Sequence, residues 1–349
     1  LDELGPRTRF TTEVKAAAAP ANGVVDGDVW LIGDGDPLLA TADYAATFKN
    51  QPQIYTDMAK LADSIVAAGV RQISGAVVGD ESRYDTQRYL PTWKAAYRLD
   101  GDIGPASALV VNDGFVEFTG RKVAASSPPQ HAAGVLTGLL QARGVIVGGA
   151  PGAGAAPRRA VRLAAVDSPP VSEIVGEMLS ESDNLTAELL TKEMGAEAGA
   201  GTTAAGVRAL LDALKDEGLP VDRVTMVDGS GLDRANRATC GALMAAVDDS
   251  GPTGPVVEGF AVANRTGTLA RRFVNHPAAG RLRAKTGSLD GVTGLTGFVD
   301  PAVAGAAPLG FAFLANGGFG EEAGRALQER VGRVLAAFPD APPPTDLDP

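Results

Sequence analysis

The sequence predicts a mixed α/β fold in which an antiparallel sheet is flanked by helices and a β-rich segment is inserted ahead of it. Three observations carry this reading. Apolar residues recur at helical spacing over about 172–195, 203–217 and 237–249. Two apolar, β-prone runs follow at 291–299 and 309–315, and the short connection 301–308 makes them an antiparallel pair. Before about residue 165 the pattern changes to short β-prone runs separated by Gly, Pro, Asn and Asp.

The chain opens on Leu1-Asp2-Glu3-Leu4-Gly5, which reads as the end of a helix with a glycine stop. Residues 8–15 are β-prone, and Val29-Trp30-Leu31-Ile32 is a second strand closed by the turn Gly33-Asp34-Gly35-Asp36-Pro37. Ile54, Met58, Leu61 and Ile65 keep helical spacing until Gly69, and 73–78 is a further strand. Ala108-Leu109-Val110-Val111 and Phe115-Val116-Glu117-Phe118 flank Asn112-Asp113-Gly114, a hairpin signal. Small-residue stretches at 124–129 and 148–154 flank a helix near 132–143. A last amphipathic helix runs through Leu327, Val331, Leu335 and Phe338. Composition then divides the chain into a short N-terminal part (1–20), a β-rich insert (21–165), a main α/β block (166–339) and a proline-rich tail (340–349) expected to be disordered.

Composition excludes several classes. Hydrophobic residues make up 45% and charged residues 21% of 349 positions, which is globular and long enough for two cores. The net charge of -11 argues against nucleic acid and gives no attraction to an anionic membrane surface. The single cysteine, Cys240, allows no disulfide within the chain and reads as a small core residue of an apolar stretch. No run approaches the ~18 apolar residues of a membrane helix. There is no metal-ligand cluster, and no cofactor is implied.

Two short strings carry chemistry. Lys285-Thr286-Gly287-Ser288 stands at the head of the first apolar β run. A strand at the wall of a cleft offers backbone N–H groups that stabilise an oxyanion. Lys285 supplies a point charge for a carboxylate or a serine hydroxyl, Thr286 a hydroxyl, and Gly287 room for a substrate backbone. Alone, such a string also occurs as an ordinary turn. Ser182-Asp183-Asn184 breaks a helical pattern, with Ile174 and Met178 before it and Leu185 and Leu189 after. These are poor residues for a helix interior because their side chains compete for backbone hydrogen bonds. Ser182 or Asn184 could simply cap the next helix; functionally, Ser182 would pass a proton and Asn184 would bind a substrate amide.

The two strings in this order are two of the three signature elements of penicillin-interacting serine enzymes. The wider match is more specific. Ser180-Glu181-Ser182-Asp183-Asn184-Leu185, Asp228-Gly229-Ser230-Gly231-Leu232, Ala284-Lys285-Thr286-Gly287-Ser288-Leu289 and the run 291–299 resemble D-alanyl-D-alanine carboxypeptidases of the penicillin-binding protein 4 (DacB) type. Leu4-Gly5-Pro6, Arg9-Phe10-Thr11-Thr12 and Gly33-Asp34-Gly35-Asp36-Pro37 extend the resemblance to the start of the chain.

The resemblance implies a transpeptidase/β-lactamase-like α/β domain interrupted by an inserted domain. It implies an exported serine D-Ala-D-Ala carboxypeptidase of the cell envelope, with DD-endopeptidase action left open beside it, that acts on peptidoglycan stem peptides and is acylated by β-lactams. Ser182 is implied in proton relay, Asn184 in holding the substrate peptide group, and Lys285 and Thr286 in recognising the terminal carboxylate. The N–H of Ser288 is implied as half of an oxyanion hole. Asp228 and Ser230 match a family loop without an assigned step. The third element, Ser-x-x-Lys, occurs nowhere in the 349 residues. In the family it precedes the segment that Leu4-Gly5-Pro6 resembles, so the sequence reads as starting inside a larger gene product.

Imitations of these motifs are weighed against them. Arg265-Thr266-Gly267-Thr268-Leu269 copies the Lys285 string but leads into Ala270-Arg271-Arg272-Phe273, which reads as a helix start. Arg265 could not exchange a proton. Thr12-Glu13-Val14-Lys15 has nucleophile-like spacing but lies in a strand, where positions i and i+3 face opposite sides. His131 and His276 read as residues of proline-adjacent loops, far apart. Two other readings stay open: a non-catalytic scaffold that binds cell-wall peptides, and a β-lactamase or esterase on the same architecture. The 349 residues alone are expected not to turn over substrate. D-Ala release should be absent for this chain and present for a version extended upstream; equal activity in the two would refute the expectation.

Overall fold

The computed structural model describes residues 1–303, 305–342 and 345, and its packing separates the chain into two units. The first comprises Leu1–Ile174, Asn184–Leu210 and Val227–Arg234; the second comprises Val175–Asp183, Leu211–Met226 and the described residues from Ala235 onward. Most of the tail expected from residue 340 lies outside the described residues.

The first unit is built on a five-stranded sheet. Its strands are β1 (Thr11–Ala16), β2 (Val29–Ile32), β3 (Val77–Asp80), β4 (Gly152–Ala153) and β5 (Val161–Asp167), in the order β4-β3-β2-β1-β5. β1 runs antiparallel to β2 and β5, whereas β2, β3 and β4 are mutually parallel. Parallel neighbours need crossovers. These contain helix α1 (Met58–Ala67) between β2 and β3, and helix α2 (Pro128–Ala142) between β3 and β4. Asp57 caps α1 by accepting the Ala59 N–H. The helical spacing read from sequence is the buried face of α1: Met58, Leu61 and Ile65 pack with Val14, Leu31 and Leu136 in one core. Each such burial contributes on the order of 2 kcal/mol of transfer free energy. Along β1 alternate residues are buried, so Thr12 points inward and Lys15 outward, where Lys15 pairs with Glu13 at 2.7 Å.

Three helices follow: α3 (Val171–Glu181), α4 (Asn184–Glu197) and α5 (Thr203–Asp216). In α4 the buried face carries Glu188, Lys192 and Glu193 among its leucines. Lys192 pairs with Asp85; Glu193 accepts from Arg83 Nε at 2.8 Å and from the Tyr84 hydroxyl at 2.8 Å. Buried charges of this kind persist because they are paired.

The second unit holds an antiparallel sheet in chain order: β6 (Ala261–Val262), β7 (Leu282–Leu289), β8 (Val292–Val299) and β9 (Leu309–Asn316). Helix α6 (Cys240–Ser250) packs on β8 and β9, and helix α7 (Glu321–Ala336) on β7 and β8. Thr293 meets α7 at Gly324, while Phe298 joins the cluster that includes Val247 of α6. Odd and even residues of β8 point to opposite faces, so the two helices cover opposite faces of the sheet. Leu269, Phe273, Leu282, Leu295 and Val299 form the core on the α7 side. The antiparallel pairing of the 291–299 and 309–315 runs holds, with Gly297 opposite Phe311.

Several expectations are corrected. The string Lys285-Thr286-Gly287-Ser288 does not precede the first strand of this sheet but lies inside one, β7, whose register sets Gly287 opposite Gly294. Asn112-Asp113-Gly114 is not a hairpin turn. All three residues take positive φ (56°, 51° and 73°) in a 3-10 turn, and Phe115–Glu117 pairs with Val123–Ala124 instead. Leu109 and Val111 are buried in the first core. The 73–78 strand is two strands, Gln72–Ile73 and β3, because Gly75 lies flat against Gly27 between them. Cys240 is exposed, not core: it is the first residue of α6, directly after the capping Thr239. His131 lies within α2 rather than in a loop. Residues 270–273 do not start a helix; Phe273 takes a φ of 59° and turns its ring into the core.

Candidate active site

Ser182 owes its place to the way α3 ends. The Asp183 N–H reaches back to the Met178 carbonyl at 3.2 Å, the six-to-one bond of a Schellman stop. That stop needs a left-handed residue, and Ser182 supplies it with a φ of 61°. Glycine takes this position at no steric cost, whereas serine gives up about 1 kcal/mol. The exchange leaves a hydroxyl at the helix end. Ser182 thus terminates α3 and does not cap α4.

That hydroxyl meets Lys285. Lys285 Nζ donates to Ser182 Oγ at 2.6 Å and to the Thr286 carbonyl at 2.8 Å. No ion pair to a carboxylate includes Lys285 among the described residues. Burial of an ammonium with only neutral partners disfavours its charge, and the Lys285 pKa is pulled down to about 8. The amine therefore exchanges protons far more readily than an exposed lysine.

Strand β7 presents the rest. β6 covers it only at Arg283 and Ala284, so among the described residues no strand pairs with its outer edge from Lys285 on. The Leu282 carbonyl bonds outward to the Ala263 N–H at 2.9 Å. By antiparallel alternation the other even-numbered residues also direct their backbone groups outward. This sets the Thr286 carbonyl and the Ser288 N–H on the open edge. Gly287 is exposed, and a Cβ there would meet nothing closer than Gly294 N at 4.0 Å. Packing within the fold gives no reason for glycine at this point. The strand is gripped from its other side: Gln328 of α7, fully buried, donates to the Gly287 carbonyl at 3.0 Å and to the Gly294 carbonyl at 2.9 Å.

Thr286 Oγ1 lies 3.1 Å from Thr268 Oγ1. Thr268 sits in the 3-10 turn Gly267–Leu269, so the string read as an imitation lies beside the Lys285 string. Its signal in the sequence was the glycine between two threonines, which marks a tight turn with hydroxyls on both sides. His276 is a structural residue: Nδ1 accepts the Ala278 N–H at 3.0 Å and Nε2 meets the Glu329 carbonyl at 2.9 Å. Among the described residues no group of three or more His, Cys, Asp and Glu side chains could hold a metal ion.

The remaining predicted residues belong to the first unit. Asn184 opens α4 and donates its amide to the Asp102 carbonyl at 2.9 Å. Asp228 is buried and organises its own loop. Its carboxylate accepts from the N–H groups of Gly231 at 2.9 Å and Asp233 at 2.6 Å and from Trp93 Nε1 at 2.8 Å. Ser230 gives its N–H to Glu188 Oε1 at 2.8 Å, and Gly229 does the same at 2.9 Å. Gly229 is needed there, because a Cβ would fall 2.0 Å from Thr191 Oγ1 of α4. Glu188 was missed in the sequence, since a glutamate in a helix ordinarily reads as surface. It lies one turn after Asn184, and burial, followed by the nearby charge of Asp228, raises its pKa to about 7.

Comparison with known proteins identifies a family and a fold. The model of the D-Ala-D-Ala carboxypeptidase 3 (S13) family matches residues 1–125 and 118–338. The D-alanyl-D-alanine carboxypeptidase of Actinomadura sp. (strain R39) is 28% identical over 419 residues, covering 97% of this chain and 74% of that protein. Among solved structures, penicillin binding protein 4 (dacB) from Haemophilus influenzae superposes with a TM-score of 0.78 at 18% identity, over 95% of this chain and 88% of the other. A second structure of that protein, complexed with a novel β-lactam, gives 0.68 at 19% identity, over 95% of this chain and 87% of the other. At such identities the likeness is one of fold.

Glu188 generates a pH prediction. Its pKa is raised in the fold from the usual 4.5 to about 7, so the stability it lends is complete below 4.5 and is lost as pH rises through 7. Urea unfolding should therefore show the protein losing about 3 kcal/mol relative to Glu188→Gln between pH 4.5 and about 8. A difference that does not change with pH would show that this carboxyl is not raised.

Proposed function

The chain belongs to the D-Ala-D-Ala carboxypeptidase 3 (S13) family, and on that premise we propose that it provides the acyl-transfer machinery of a serine DD-carboxypeptidase acting on peptidoglycan stem peptides. Such an enzyme works outside the membrane; no helix among the described residues is long and apolar enough to cross one. A serine attacks the carbonyl between the two D-Ala residues, D-Ala leaves, and water hydrolyses the acyl-enzyme. β-Lactams would acylate the same serine; the structurally similar protein from Haemophilus influenzae has been solved in complex with one.

The observation that carries this reading is the hydrogen bond from Lys285 Nζ to Ser182 Oγ. Because Ser182 accepts from the lysine, its own hydrogen is free to point elsewhere, toward the nitrogen that must leave. Ser182 would hand its proton to that nitrogen and recover one from Lys285, and Lys285 would be recharged by the proton that the attacking serine gives up. A lysine pKa of about 8 suits the exchange, since it lies close to neutral pH, where the amine can both give and take a proton. The charge of Lys285 and the hydroxyl of Thr286 would hold the terminal carboxylate, and the outward N–H of Ser288 would meet the oxyanion. Gly287 leaves the substrate backbone room to lie along the strand. Asn184 is assigned the substrate peptide group; one N–H of its amide serves Asp102, and the other is the donor for that role.

The 349 residues hold no Ser-x-x-Lys, which is the one observation favouring a peptide-binding scaffold instead. The product of the complete gene is therefore the protein to assay. It should release D-Ala from a peptide ending in D-Ala-D-Ala, with kcat/KM falling as pH rises through about 8 and Lys285 loses its charge. Lys285→Ala should lower kcat/KM about 100-fold or more. Absence of D-Ala release by the unsubstituted protein, with retained peptide binding, would establish the scaffold.

A further inference from the structure

We infer that Thr268 is a positioning residue for the free terminal carboxylate of the substrate, acting through Thr286. The inference rests on the carboxypeptidase reading and deepens it to a substrate class: peptides that end, rather than continue, beyond the scissile bond.

The turn that bears Thr268 is held on all sides. Leu269 is fully buried in the core of the second unit. The Asn264 N–H closes the turn on the Leu269 carbonyl at 3.0 Å, and Thr266 Oγ1 accepts the Val262 N–H at 2.9 Å. Gly267 takes a φ of 55°, and a Cβ on it would fall 2.3 Å from the Ser180 carbonyl oxygen. The turn therefore lies directly against the last turn of α3, two residues ahead of Ser182. On that fixed base the Thr268 hydroxyl accepts a hydrogen bond from Thr286 Oγ1 at 3.1 Å. One short turn thus spaces the end of α3, where the relay serine stands, from the threonine of the edge strand.

The chemistry of two adjacent hydroxyls sets the direction of the effect. A carboxylate only accepts hydrogen bonds, so Thr286 must donate to bind one. A hydroxyl has a single hydrogen. When an anion arrives, the Thr286 hydrogen turns from Thr268 to the anion, and the Thr268 hydroxyl rotates to donate to Thr286 Oγ1 in its place. Hydrogen bonds in such a chain polarise one another, which strengthens the terminal donor. An ester or an amide at the same place offers no full charge and gains less. The pair therefore favours a free carboxylate over a masked or extended end.

The test compares acylation of the full-length protein by benzylpenicillin and by its methyl ester, whose carboxylate is masked. Thr268→Val keeps the shape of the side chain and removes the donor. It should lower the second-order acylation rate constant for benzylpenicillin about tenfold, the effect of one hydrogen bond to a charged group, and leave that for the ester nearly unchanged. Thr268→Ser, which restores the hydroxyl, should recover the loss. Equal loss for both compounds, or failure of serine to rescue, would assign Thr268 a merely structural role and overturn the inference. So would a valine variant that acylates normally with both. An unsubstituted protein that neither compound acylates would overturn the carboxypeptidase reading itself and the inference with it, so the two failures are distinct.

Discussion

Two stretches of chain separated by 103 positions meet in the bond between Lys285 Nζ and Ser182 Oγ, and the candidate site depends on that meeting. Neither partner is comfortable. Ser182 holds a left-handed backbone that glycine would adopt freely, and Lys285 loses water without gaining a carboxylate. Strain and uncompensated burial persist only where the surroundings over-determine them. Here α3 ends in a hydrogen-bonded stop, and β7 is zipped to β8 over its whole length and clamped at Gly287 by Gln328. The helix end and the strand are each rigid, so the lysine and serine have no cheaper arrangement. A site in which the fold works against its own stability in this way is where perturbed proton affinities have chemical use.

The second constraint is an omission. β6 stops after two residues and leaves the outer edge of β7 without a strand partner. Open edges are ordinarily a hazard, because they invite another chain to pair. In this sheet the uncovered stretch is short and carries the motif residues themselves. The same geometry that would invite aggregation leaves a row of backbone groups open beside Lys285 and Ser182. The exposed Gly287, for which no neighbouring atom requires a glycine, belongs to that arrangement and not to the packing of the unit.

The sequence was most legible where local chemistry and tertiary context agree. β8 and β9 are apolar enough to declare themselves, and the spacing of Met58, Leu61 and Ile65 marked the buried face of α1. The break at Ser182-Asp183-Asn184 was visible because three poor helix residues interrupt two good helices. β7 was not legible. Arg283, Lys285 and Gly287 weaken its β character, and its extended form comes from pairing with β8. Asn112-Asp113-Gly114 failed for a related reason: a hairpin needs both flanking runs on one sheet, but Leu109 and Val111 were claimed by the core. Thr268 and Glu188 were missed because each has an ordinary sequence setting. Only the fold brings the hydroxyl of one to Thr286 and the carboxyl of the other to the Asp228 loop.

The first unit shows what holds Asn184 in place. α4 is not clearly amphipathic, and its inner face combines leucines with Glu188, Lys192 and Glu193. Apolar packing alone resists separation of a helix from its support but tolerates small rotations about the helix axis. Hydrogen bonds and ion pairs are directional and do not. Glu188 fixes the helix to the backbone of Gly229 and Ser230, Lys192 fixes it to Asp85, and Glu193 fixes it to Arg83 and Tyr84. These ties recur within two turns on one side of the helix, and together they determine its rotation as well as its position. Asn184 stands at the head of the same helix, so the ties that set the rotation of α4 also set the place of its backbone. Burying charge in α4 is costly in stability, and the directional partners of Glu188, Lys192 and Glu193 offset part of that cost while fixing the helix in one orientation.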